Sequence, residues 1–162
     1  MTTRPVRMLG PATVIESRPD REVSVLRAPH TGLMTTRQND IAFSVVIDND
    51  ADPAVIEVAG ELDSFSACEL RSGIAAVLGR PGAILDIRDV PFVDSAGLGA
   101  VVGGIRRLRE AGASVALCCT RSSVLRLLGM TGLDRIVPIA DSPAEARRII
   151  AEARDGQTLL AV

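Results

Sequence analysis

The chain contains no lysine, tryptophan or tyrosine, and phenylalanine occurs only three times. The lack of lysine removes the P-loop, the Schiff base and the lysine general base together. With three phenylalanines as the whole aromatic complement, no stacking platform for single-stranded nucleic acid can be assembled. His30 is the sole histidine, so serine and cysteine triads and histidine-rich metal sites are poorly supported. Cys68, Cys118 and Cys119 are the only cysteines and show no C-x-x-C spacing, which argues against a zinc site or a thioredoxin-like motif. Two roles remain open to them: small buried hydrophobes, or a thiol redox switch. No apolar run approaches the ~20 residues that span a bilayer, and the N-terminus lacks the apolar core of a signal peptide. A cytoplasmic protein with no membrane partner is expected.

Of the 162 residues, 47% are hydrophobic, enough for one well-buried domain and too few for two comfortable ones. A formal net charge of -2 gives no general attraction to phosphate backbones or anionic lipid, so direct nucleic-acid binding is not expected.

Residues 1–40 carry Pro5, Pro11, Pro19 and Pro29 before any sustained periodicity develops. They read as a disordered arm, with a short strand conceivable at Val23-Ser24-Val25-Leu26. Met1-Thr2-Thr3-Arg4 recurs as Met34-Thr35-Thr36-Arg37, which makes Met34 a candidate translation start, with chance recurrence the alternative. Residues 41–153 then alternate strand and helix signals. Residues 41–47 and 55–60 read as two strands that could pair as a hairpin across an Asp- and Asn-rich turn. Asp63, Ser64 and Ser66 offer caps for a helix carrying Leu70, Ile74, Val77 and Leu78, ended by Gly79 and Pro81. Residues 83–87 form a third strand and 114–118 a fourth. Ser122 caps a short helix, residues 136–139 make a proline-bearing edge strand, and Ser142-Pro143 opens a last helix. Residues 154–162 form a tail of no clear role. The expectation is an α/β sandwich with a mostly parallel sheet of about five strands and about four helices.

The chain reads as organised around Val90-Pro91-Phe92-Val93-Asp94-Ser95-Ala96-Gly97-Leu98-Gly99-Ala100. A strand-like run precedes it. Leu98, Val101, Val102, Ile105 and Leu108 follow at helical spacing. Asp94 and Ser95 are good N-cap types, so the helix is expected to start there. A hydroxyl at that point lies beside unpaired backbone N–H groups and the positive end of the helix dipole, a seat for a phosphoryl group; a simple cap is the alternative. Gly97 and Gly99 each weaken a first helical turn, which suggests that something approaches closely.

Two other chemistries fail on context. Gly97-Leu98-Gly99 is not a dinucleotide fingerprint, because residues including Pro91 separate it from the strand, and no acidic residue ends the next one. Asp86 with Pro91 looks like the phosphoacceptor strand of a response-regulator receiver, but the required lysine is absent. Asp86 is then a sheet residue or a charge partner.

Gly60-Glu61-Leu62-Asp63 with Ala67, then Phe92-Val93-Asp94-Ser95-Ala96-Gly97-Leu98-Gly99, then Leu128-Gly129-Met130-Thr131-Gly132-Leu133-Asp134, together closely resemble the bacterial anti-sigma factor antagonists of the STAS domain class. The resemblance runs over about residues 41–153. It implies a STAS-type sandwich and a non-enzymatic switch without a cofactor. Such an antagonist binds an anti-sigma factor that is also a serine kinase and thereby frees a sigma factor. Phosphorylation of the serine after the motif aspartate, here Ser95, ends binding, and a PP2C-like phosphatase resets it. The same matching makes Gly60, Asp63, Asp94, Ser95, Ala96 and Gly97 one partner-facing surface, with Asp94 shaping the loop. Ala96 stands where many members carry serine or threonine, leaving Ser95 the only acceptor in the motif. The rival readings are a cysteine-based redox antagonist using Cys68, Cys118 and Cys119, and a STAS module of a larger stress-signalling complex that works without phosphorylation.

Overall fold

The computed structural model describes residues 13–18, 21–27 and 43–160. Among these residues, strands β1 (Thr13–Arg18), β2 (Arg21–Arg27), β3 (Ser44–Asp48), β4 (Ala54–Ala59), β5 (Gly82–Asp89), β6 (Ser114–Cys118) and β7 (Ile139–Ala140) join one sheet in chain order. The neighbours from β1 to β4 run antiparallel and those from β4 to β7 parallel. Helices α1 (Ala67–Ala76), α2 (Ser95–Glu110) and α3 (Ser122–Thr131) are the three parallel crossovers, and α4 (Pro143–Leu160) follows β7.

Strand alternation divides the side chains between two cores. In β3, Val45 and Ile47 are buried while Ser44, Val46 and Asp48 are only half so. Val45, Ile47, Ile56, Leu85 and Leu117 pack beneath α1, α2 and α3. The opposite face carries Val55, Ile84, Ala116 and Cys118, met by Ala146 and Ile150 of α4. Because each crossover steps to the next strand in the same direction, right-handed connections set all three helices on one face and leave the other to α4. β5 lies inside the sheet and is buried on both sides, hence its nearly unbroken apolar run. The exception is Asp86, 5% exposed. Its carboxylate accepts from Arg88 Nε at 2.9 Å and Arg88 Nη2 at 2.8 Å, so it is the charge partner that the sequence suggested.

The structure departs from the sequence reading at both ends and at one edge. β1 and β2 lie within the stretch expected to be an arm, and β2 pairs with β3, so those two segments extend the five expected strands. Val23–Leu26 falls inside β2; Met34 and the rest of residues 1–40 lie outside the described residues. At the other end α4 runs on to Leu160, through most of the segment read as a tail. Arg154 on that extension reaches back to Asp52 in the β3–β4 turn at 3.0 Å. The edge strand narrows to two residues, and Pro138 just before it still accepts from Leu117 N through its carbonyl at 3.0 Å. No helix among the described residues is long and apolar enough to cross a membrane.

Candidate functional site

β4 and β5 are parallel neighbours, so the loops that leave their C-terminal ends for α1 and α2 emerge side by side. Gly60 turns the chain with φ 88°, a conformation that a Cβ would disfavour. Its N–H donates to Asp89 O at 3.2 Å. Leu62 then forms a small parallel bridge with Val93: Leu62 N donates to Phe92 O at 2.9 Å, and Asp94 N donates to Leu62 O at 3.0 Å. The Leu62 side chain is fully buried, which anchors this clasp in the main core.

On one side of the clasp, Asp94 is the N-cap of α2, with extended backbone and Oδ1 accepting from Gly97 N at 2.8 Å. Ser95 is the first helical residue and is exposed. Ala96 is half-buried, and Gly97 is buried against Leu62. A Cβ at Gly97 would stand 2.7 Å from the Leu62 carbonyl carbon, whereas one at Gly99 would meet nothing within 4 Å. The close approach expected at both glycines therefore occurs at Gly97 alone, and what approaches is the chain itself.

On the other side, Asp63 shapes the turn into α1. Its Oδ1 accepts from Phe65 N at 2.9 Å and from Ser66 N at 3.0 Å. The Ser66 hydroxyl receives Asp63 N at 2.8 Å, and its own proton has Glu61 O at 2.9 Å and Asp63 Oδ1 at 3.1 Å as acceptors. The Ser66 N–H, helped by the Phe65 N–H and the Ser66 hydroxyl, holds the Asp63 carboxyl below the usual carboxylate range against the opposing effect of partial burial. Asp63 thus caps a turn; the helix itself begins after Ser66, whose side chain makes no cap bond to it.

Gly60 and Asp63 therefore sit on the loop before α1, and Asp94, Ser95, Ala96 and Gly97 at the start of α2, the two segments joined through Leu62. The cysteines do not gather. Cys118 and Cys119 belong to cores on opposite faces of the sheet, and Cys68 is exposed on α1. Burial, with Asp86 nearby, pushes the Cys118 thiol up to about 12, and burial raises that of Cys119. Sequence reasoning passed over Phe65, which is 86% exposed beside Asp63, and did not foresee Phe92 at 52% exposure beside Val93. One signal for Phe65 was available: it falls outside the Leu70, Ile74, Val77 spacing and is flanked by serines.

A mixed sheet with three helices on one face, and an exposed serine opening the helix after β5, point to the class. The STAS domain profile matches residues 43–146, and the chain belongs to that family. Among characterised relatives it is similar to the anti-sigma F factor antagonist of Paenibacillus polymyxa, 30% identical over 95 residues that cover 57% of this chain and 81% of that one. It is similar also to the anti-sigma-B factor antagonist of Bacillus subtilis, 33% identical over 100 residues, covering 60% and 91% of the two chains. The crystal structure of an anti-sigma factor antagonist from Mycobacterium paratuberculosis shares the fold, with a TM-score of 0.57 over 84% of this chain and 99% of that one at 22% identity.

Proposed function

We propose that this chain is a cytoplasmic anti-sigma factor antagonist, a binding switch with no catalytic group or cofactor of its own. Unphosphorylated, it binds an anti-sigma factor with serine kinase activity and so frees a sigma factor. Phosphorylation of Ser95 by that partner ends the complex, and a PP2C-like phosphatase restores it. The observation that carries this reading is the exposed Ser95 at the start of α2, directly after a segment tied by hydrogen bonds to Leu62, next to the Asp63 turn. The relatives named as antagonists of anti-sigma F and anti-sigma-B factors support it.

The physical logic of the switch is local. A phosphoryl group adds about -1.5 to -2 charges and three acceptor oxygens. At the first turn of a helix the macrodipole favours that charge, so the domain keeps its fold. The partner is treated differently. Asp94 is adjacent and Asp63 lies across the clasp, so a surface that accepts a neutral hydroxyl meets added negative charge and a desolvation cost. A loss of about 3 kcal/mol, at 1.4 kcal/mol per tenfold, turns a tight complex into a mostly dissociated one.

The test is to incubate wild type, Ser95→Ala and Ser95→Asp with the cognate anti-sigma kinase and ATP, then measure intact mass and affinity. Ser95→Ala is expected to bind and accept no phosphate, and Ser95→Asp to stay folded and bind at least tenfold more weakly. Phosphate on Ser95→Ala, or undiminished binding by Ser95→Asp, overturns the assignment.

A further inference from the structure

Two of the chain's three phenylalanines stand in solvent, and both belong to the loops that meet at Leu62. Phe65 is the more exposed, at 86%. The fold does not require an aromatic there. The one hydrogen bond described for Phe65 is from its backbone N–H to Asp63 Oδ1, which any residue but proline can make. Yet the turn beneath it is firmly built: the Asp63 carboxylate and the buried Ser66 hydroxyl cross-link residues 61–66 from within. A large apolar side chain is thus held outward on a backbone with little freedom left to lose. Those are the properties of an interface hot spot, where preorganised aromatic groups carry a disproportionate share of affinity.

The geometry points to Phe65 as a docking anchor that inserts into an apolar pocket of the anti-sigma factor beside the site where that partner meets Ser95; this rests on the reading proposed above. The distance is right for one footprint. Phe65 is three steps along the chain from Leu62, and Ser95 is two from Val93. With at most ~3.6 Å per residue and about 5 Å across the bridge, the two Cα atoms lie within about 25 Å. An ordinary interface patch of about 800 Å² per partner spans that. The rim fixes the partner's chemistry. Residues 60–66 carry Glu61 and Asp63 and no arginine, so the pocket that receives Phe65 should have a basic rim on that side, set apart from the uncharged seat that meets the Ser95 hydroxyl. Phe65 is a docking group and touches no reacting atom. Its loss should weaken encounter and leave the phosphoryl transfer to Ser95 intact once the complex has formed.

The experiment uses the full chain as wild type, Phe65→Ala and Phe65→Leu, with the anti-sigma kinase of the same organism as the probe. Because Phe65 is so exposed, unchanged thermal unfolding is the expected control. Phe65→Ala should raise Kd at least tenfold and raise KM for Ser95 phosphorylation to match, with kcat within twofold, and Phe65→Leu should recover most of the loss. A loss smaller than tenfold for Phe65→Ala, with wild type binding normally, overturns the anchor and leaves the proposed function standing. Failure of wild type itself to bind the kinase overturns both.

Discussion

The carbonyl oxygen of Leu62 accepts the N–H of Asp94 at 3.0 Å, and that same carbonyl is what Gly97 packs against one helical turn later. One peptide unit in the first loop therefore positions both the cap and the first turn of α2, and Ser95 lies between them.

Gly97→Ala should accordingly be costly. Its new Cβ meets backbone that cannot swing aside, so the clasp must open, at a cost of about 2–3 kcal/mol in urea unfolding. Gly99→Ala, with open space at the same distance from its own backbone, should instead stabilise the protein by roughly 0.5–1 kcal/mol through helix propensity. Equal effects from the two substitutions would contradict the clasp.

Asp63→Asn keeps an acceptor oxygen and removes the charge, which isolates the carboxylate's part in the turn. The folded-state pKa of Asp63 lies below its ordinary value near 3.8, chiefly through the Ser66 N–H. Its stabilisation is therefore fully present above that ordinary value and disappears as pH falls through the lower, folded one. Wild type should exceed Asp63→Asn by about 1 kcal/mol at neutral pH, a modest figure because solvent screens a partly exposed group. Chemical unfolding of both proteins from pH 7 to pH 2 should show the two stabilities converging at the acid end. A gap that stays constant throughout would refute the charge's role.

The thiols should separate cleanly by reactivity. Only the thiolate attacks an alkylating agent, and burial holds Cys118 and Cys119 in the thiol form at ordinary pH. Brief iodoacetamide treatment of the native protein at pH 8 should add one label, at Cys68, and treatment in denaturant should label all three cysteines. Intact-mass measurement reads the count directly. A second label appearing as fast as the first in native protein would favour a redox role for the pair.

Much of this architecture is legible in the letters because the forces concerned are local. Asp94 caps α2 through its own residue type, and Val101, Ile105 and Leu108 are buried at the spacing that announced them. Asp63, Ser64 and Ser66 announce the start of a helix, although not that Asp63 shapes a turn ahead of it while α1 starts only after Ser66, whose side chain makes no cap bond. Leu62 is different: nothing in Gly60-Glu61-Leu62-Asp63 says that its carbonyl pairs with Asp94, since that depends on β4 and β5 being parallel neighbours. Length beyond the last apolar contact is also illegible. Ala146 and Ile150 mark α4, but the helix is carried further, where Arg154 meets Asp52 from a turn far back in the chain. β1, with the letters Thr-Val-Ile-Glu-Ser-Arg, shows no sustained alternation, and its pairing is supplied by β2.

The bridge between Leu62 and Val93 makes Ser95 part of a conformational epitope. A synthetic peptide copying residues 88–102 would carry the same letters around Ser95, but without the second loop it has neither the Leu62 carbonyl to receive Asp94 nor the Asp63 turn to stand beside. Ordering so short a helix unaided is unfavourable in water, so the peptide would present its serine in many arrangements. A partner that reads both loops therefore responds only to molecules whose domain is intact. Under the proposed function, nascent, proteolysed or heat-unfolded copies would then be silent, and the signal would measure the concentration of folded protein.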